Sequence, residues 1–438
     1  METVFLGGRL VDGTGRDPIA DGGLVVAAGA IRAAGPSDGL RFGRDARVIH
    51  LDGRTVMPAL VDCHTHLTYH RRQPDVWQQD MAESVELNTI AATLSARAIL
   101  EMGFATIGDG GCRGLIGPAV RDAVAGGLIP GPRVVAAGPI LCGSAGLLDS
   151  VPAWMRLDSE SALAMVVDGP AEVRRAVRRQ VKGGVDWIKV AASGVVGSRF
   201  SSAETDDLGE DEIRAAVSEA AKFGKPVHAH AHSREGVKAA VRAGVISLHS
   251  GEFVDEEGLE LMQRRGVAFA ATIAWLHARC LPGHAPAHDP AFVREARRAY
   301  DAARGALVRA RELGVKVAVG TDAAHRFPHV PDGVLELEYL QALGYPPLEV
   351  ITAATRTAAE AIGRSGLLGT LEPGKQADVL VVEGNPAEDV RVLRDKRRIV
   401  GMWKDGVEVL LPADRAHVGA DFSVAAWLAE PAGDPATG

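Results

Sequence analysis

The chain has 438 residues, 47% hydrophobic and 24% charged, the composition of a globular protein with room for one large domain and a smaller one. A formal charge of −8 leaves no basic footprint for nucleic acid, and no apolar stretch reaches the length of a membrane span. Its four cysteines, Cys63, Cys112, Cys142 and Cys280, are far apart with no Cys-x-x-Cys, and read as reduced thiols rather than a disulfide frame.

The chain starts Met1-Glu2-Thr3-Val4-Phe5-Leu6, without the basic start and long apolar core of a signal peptide, so a soluble, cytoplasmic protein is expected. Residues 1–52 read as short strands broken by Gly and Asp: Val4–Leu6, Gly23–Ala27, Ala30–Ala34 and Val48–Leu51. The same texture returns over 370–410, with Asp378–Val382 and Ile399–Trp403 as the clearest strands. Neither piece has enough strands to bury a sheet alone, so the two are expected to combine.

Between them, apolar runs lie at Val56–Val61, Ala105–Gly108, Val134–Ala137, Trp187–Ala191, Pro226–Ala231, Val245–His249, Val267–Thr272 and Val315–Gly320. Amphipathic stretches such as Ala171–Val181, Glu210–Lys222, Arg234–Arg242 and Phe292–Leu313 separate many of them. This alternation predicts an α/β fold, a (β/α)8 TIM barrel over 56–365 with a small β-sandwich domain formed from both chain termini, 1–55 and 366–412. A mobile tail is expected over 413–438.

Three of the runs end in metal-binding side chains: Asp62-Cys63-His64-Thr65-His66, His228-Ala229-His230-Ala231-His232 and Gly320-Thr321-Asp322. Side chains alternate along a strand, so His64 and His66 share a face, as do His228, His230 and His232. Donors converging from several strand ends, with room for water, suit a catalytic cation. His64, His66, His230 and Asp322 are the expected ligands. Asp62 is expected to orient a histidine by accepting its second N–H. His228 lies deeper and reads as structural, while His232 is expected to face substrate as a catalytic group. Asp322 can bind metal and take a proton from an activated water, although an Asp after a strand also serves as a helix cap. Lys189, within an apolar strand, is either a snorkelling surface lysine or a buried neutral amine.

These motifs resemble the amidohydrolase superfamily, near its imidazolonepropionase and metal-dependent prolidase branch. The likeness rests on His64-Thr65-His66, Lys189, the strand-five histidines and Val319-Gly320-Thr321-Asp322. It extends to Gly127–Arg133, Ala243-Gly244-Val245 and Gly369–Asp378. The resemblance implies two zinc ions bridged by a carboxylated Lys189, and hydrolysis of C–N bonds in a small-molecule substrate. A homo-oligomer is expected. A heterocycle-forming cyclase of the benzoxazole type is the alternative reaction, and a non-catalytic scaffold is disfavoured because His-x-His and the final Asp remain.

The sequence departs from the family pattern twice. Where strand six usually ends Glu-His-Gly, it reads Leu248-His249-Ser250-Gly251, which puts Ser250 in the ligand position and His249 one place early. A bulge at Leu248–Ser250 is expected to aim His249 inward as a metal ligand; without it, Ser250 faces the site and one ion remains. The loop after strand three, Leu141–Leu147, lacks the histidine found in many relatives, which weighs against a typical dipeptide or imidazolone substrate. Tyr69, His70, Arg113, Trp154, Arg199, Trp275, His277, His325 and His329 are the loop side chains available for substrate contact.

Overall fold

The computed structural model describes residues 2–69, 82–149, 151–155, 162–198, 200–270, 272–280, 290–322 and 333–410. His70, Arg199, His325, His329 and the tail over 413–438 lie outside the described residues.

The N-terminal stretch forms strands β1 (Glu2–Leu10), β2 (Ile19–Ala27), β3 (Ala30–Pro36), β4 (Arg47–His50) and β5 (Thr55–Pro58). The middle of the chain supplies β6 (Leu60–Thr65), β7 (Phe104–Asp109), β8 (Arg133–Ala136), β9 (Ile140–Cys142) and β10 (Ala164–Val166). It continues with β11 (Ile188–Ala191), β12 (Val227–His230), β13 (Ser247–His249), β14 (Ala268–Ala270) and β15 (Val317–Ala318). The last three are β16 (Val379–Val382), β17 (Ile399–Lys404) and β18 (Val407–Leu410).

Both ends of the chain share one sheet, in the order β18-β17-β16-β5-β1-β2-β3, with β4 on β1. The joint is antiparallel pairing of β5 with β16, Val56 opposite Val381. Alternation sorts the side chains at this joint. Val56, Val379 and Val381 enter a core with Phe5, Leu24 and Trp403, while Met57, Leu380 and Val382 face the main core. The apolar run at Val56–Val61 is therefore two strands: β5 belongs to the terminal sheet and β6 opens the parallel system.

Parallel strands form two further sheets, β6-β7-β8 and β10-β9-β11-β12-β13-β14-β15. The ladder is interrupted between β8 and β11 and between β15 and β6, and isolated backbone bonds span the breaks, one across the first and two across the second. The Asp186 N–H donates to the Ala136 carbonyl at 2.7 Å, the Cys63 N–H to Val319 at 2.9 Å and the Asp322 N–H to His64 at 2.8 Å. β9 and β10 were not expected; Leu141 and Cys142, read from sequence as loop, pair in β9 against β10 and β11.

Helices Pro170–Lys182, Glu210–Ala221, Arg234–Ala243, Glu256–Arg265 and Pro290–Glu312 alternate with these strands. Their ends follow local chemistry: Ser233 and Asp255 accept from the Gly236 and Gly258 amides, and Gly244 and Gly266 end their helices in the left-handed region. No described helix is long and apolar enough to cross a membrane. Arg133 of β8 ties the two systems together, donating to Asp405 at 2.7 Å and pairing with Asp378.

Candidate metal centre

His64 ends the inward face of β6, and His66 follows in the turn that leaves the strand. Asp322 arrives from the segment after β15, its backbone held to His64. The three side chains meet: Nε2 of His64 lies 3.1 Å from Nε2 of His66, and the Asp322 Oδ1 lies 3.2 Å from His66 Nε2 and 3.8 Å from His64 Nε2. All three are buried, and they form the one potential cation-binding group of His, Cys, Asp or Glu among the described residues.

The donor set fits a cation. The His66 Nδ1–H donates to the Gly111 carbonyl at 2.7 Å, so its Nε2 carries the lone pair. Burial holds His66 down to about 3 and His64 well below the usual imidazole range, so both rings are neutral. Asp322 Oδ1 is buried without a hydrogen-bond donor. Nε2 of His64, the Nε2 lone pair of His66 and Oδ1 of Asp322 thus converge at separations near the ~3.3 Å edge that four ligands make around an ion with ~2.0–2.1 Å bonds.

Neighbouring atoms are trimmed to admit His64. A Cβ on Gly110 would stand 2.6 Å from its Cδ2, and one on Gly320 would stand 2.9 Å from its Cβ. Tyr69 stacks on His66 with centroids 4.1 Å apart.

Lys189 on β11 is 1% exposed, with Nζ 2.5 Å from His249 Nδ1 and 3.5 Å from His64 Nε2. Burial lowers it from 10.5 to about 7 despite the opposing charge of Asp322. It is therefore a buried amine and not a snorkelling lysine.

His249 reaches this amine without a bulge. The β12–β13 ladder is regular, with His228 opposite Ser247 and His230 opposite His249. Inward parity falls on Ser247 and His249 together, so the expected bulge at Leu248–Ser250 is corrected. Ser250 leaves the strand at φ 79° and meets Thr272 Oγ1 at 3.3 Å.

His230 stands apart from the three-residue group. Its Nε2–H donates to the Gly194 carbonyl at 3.2 Å, which leaves the lone pair on Nδ1. His228 is fully buried at right angles to Trp187, as its deeper position implied. His232, also fully buried, turns Nδ1 to the carboxylate of Glu252 and leaves Nε2 without a partner. Asp62 corrects its expected role. It touches no imidazole; its carboxylate accepts from the backbone amides of His64 and Thr321 at 3.0 and 3.1 Å, pinning β6 to the end of β15.

Two contributors escaped sequence reasoning. Glu252 lies just past strand six, where a carboxylate after Ser250-Gly251 was the available signal. Ser247 could have been found from parity, two residues before His249. Of the loop candidates, Arg113 is buried and donates to the Glu83 carbonyl at 2.7 Å, and His277 is tied to the Tyr339 hydroxyl. Trp275 is buried and stacks on His232 with centroids 6.5 Å apart, whereas Trp154 is exposed.

A family model described as the amidohydrolase family matches residues 55–409. Ochratoxinase of Aspergillus niger is 31% identical over 92% of this chain and 86% of its own length. Imidazolonepropionase of Rhizorhabdus wittichii is 28% identical over 90% of this chain and 96% of its own. Among solved structures, a Xaa-Pro dipeptidase with bound methionine superposes with a TM-score of 0.81 at 30% identity, covering 93% of this chain and 99% of that one. The A. niger ochratoxinase structure superposes with a TM-score of 0.84 at 28% identity, over 94% of this chain and 96% of that one. The chain belongs to the amidohydrolase family and is an enzyme that hydrolyses C–N bonds.

Proposed function

We propose a metal-dependent amidohydrolase that cleaves an amide or cyclic amide bond in a small organic molecule, its eight inner strands acting as a (β/α)8 barrel capped by a terminal β-sandwich. The observation that carries this reading is the convergence of His64 Nε2, His66 Nε2 and Asp322 Oδ1 beside the buried amine of Lys189.

A divalent ion held there, zinc by the nitrogen-rich donor set, supplies Lewis acidity toward a carbonyl oxygen and a strong nucleophile from water at neutral pH. His64, His66 and Asp322 would hold the first ion. Lys189, whose amine burial lowers to about 7, is suited to add to carbon dioxide with loss of a proton, and as a carbamate it would offer oxygens to the centre. His230 and His249 would offer Nδ1 to a second ion.

Asp322, raised to about 6 by burial, is matched to accept a proton and pass it to the leaving nitrogen. His232, oriented by Glu252, offers Nε2 as a second catalytic contact. Arg279 acts on Asp322 through its charge and lies 3.8 Å over Trp275, which in turn stacks on His232.

Elemental analysis of metal-replete protein should find two transition-metal ions per chain. His64→Ala should abolish activity, and Lys189→Ala should lose metal and activity with partial rescue by short carboxylic acids. Full activity after exhaustive chelation overturns the metal mechanism; one ion per chain overturns the two-ion centre.

A further inference from the structure

Behind the metal centre runs a buried chain of four side chains. Lys189 Nζ meets His249 Nδ1 at 2.5 Å, His249 Nε2 meets Ser247 Oγ at 3.0 Å, and Ser247 Oγ meets His228 Nδ1 at 2.6 Å. Lys189 is 1% exposed, the other three residues are fully buried, and His228 Nε2 has no hydrogen-bond partner. The chain is closed off from solvent and its bonds run in series, so proton placement at one end dictates placement at the other.

Ser247 carries one proton between two ring nitrogens, so it can donate to only one of them. If Nδ1 of His249 holds a lone pair, Nε2 must carry hydrogen and donate to Ser247 Oγ. The Ser247 hydroxyl then donates to His228 Nδ1, and His228 carries its hydrogen on Nε2. In the reverse direction His249 holds hydrogen on Nδ1, which cannot bind a cation. An ammonium or a metal ion at the Lys189 end admits the first direction alone.

We infer that Ser247 is a positioning residue that locks His249 in the Nε2–H tautomer, with His228 as the terminal acceptor, so that Nδ1 of His249 is offered to the second metal ion. This rests on the two-ion reading of the centre. It also explains how a strand ending His249-Ser250 keeps a strand-six ligand: Ser247 shares the inward face of β13 with His249 and fixes its ring from behind.

The test has two arms. In metal-free wild-type protein with nitrogen-15-labelled histidine, NMR should find both His249 and His228 as Nε2–H tautomers. In chelator-competition titrations with zinc, Ser247→Ala should weaken the second ion about 10–100-fold, the usual cost of losing a partner behind a ligand, and spare the first. Ser247→Thr, which keeps the hydroxyl, should restore the second affinity. An Nδ1–H tautomer at His249, or unchanged affinities in folded Ser247→Ala, overturns the role of Ser247. A wild type that binds a single ion overturns the two-ion reading alone, and the tautomer of His249 then decides the proposal without any variant.

Discussion

Asp322 holds its carboxylate in place at a conformational cost, since it stands at φ 55°, in the left-handed region that asparagine adopts more readily than most other side chains. Asp322→Asn should therefore fold with a melting temperature within a few degrees of wild type. It should lose metal affinity, and kcat/KM should fall by about 10²–10⁴-fold. Unchanged metal content would separate Asp322 from the centre. Lys189 gives a prediction with a defined sign. In metal-free, uncarboxylated protein its amine releases a proton near pH 7, against 10.5 for an ordinary lysine. Between those values the unfolded chain binds more protons, so this residue's contribution to stability rises with pH across the window. Lys189→Met should stabilise the metal-free protein by a few kcal/mol at neutral pH, and the advantage should vanish as pH approaches 10.5. Thermal melts at two pH values, both with chelator, check it. His64, His66, Lys189 and Asp322 were legible because their types are costly in apolar runs. The partner of Asp62 was not, because a carboxylate beside two strand ends serves backbone amides as well as imidazoles.

At the scale of elements, the centre depends on how closely three strand ends approach. Gly110 and Gly320 permit that approach, and a side chain at either meets His64. Gly110→Ala should lower first-ion affinity while costing about 1–3 kcal/mol of stability, the usual range for overpacking. A calorimetric metal titration with wild-type affinity would show that His64 moves freely. Most strands and the long helices were readable from apolar runs and their amphipathic spacers. The division of Val56–Val61 was not, because β5 and β6 are separated by Ala59 alone and both are apolar. His249 faces inward as read, but the bulge expected to turn it there was not needed, because one-residue offsets were counted against a pattern and not against β12, whose pairing sets the parity.

At the scale of the whole molecule, a half-buried ion cluster reinforces the apolar joint between the parallel strands and the terminal sheet. Arg133 donates to Thr106 at 2.8 Å and Asp405 at 2.7 Å and pairs with Asp378. Removing it leaves the buried Asp378 carboxylate without its guanidinium and with the Asp405 amide as a remaining donor at 2.9 Å, so Arg133→Ala should destabilise by up to about 3–5 kcal/mol. Arg133→Met, which keeps the stem, should cost less of the packing. Equal melting temperatures for wild type and Arg133→Ala would refute a structural role for the cluster.

The β5–β16 joint also governs when this molecule can become whole. The Thr55 hydroxyl donates to the Gly384 carbonyl, 329 positions later in the chain. During synthesis at about 5–20 residues per second, β5 waits tens of seconds with its β16 edge unpaired while the enzyme body is made. A template for foreign strands is exposed throughout that interval. The parallel strands can collapse early, but the last strands to leave the ribosome seal the first ones made, so premature termination before β16 would yield an aggregating chain with His64, His66 and Asp322 already present.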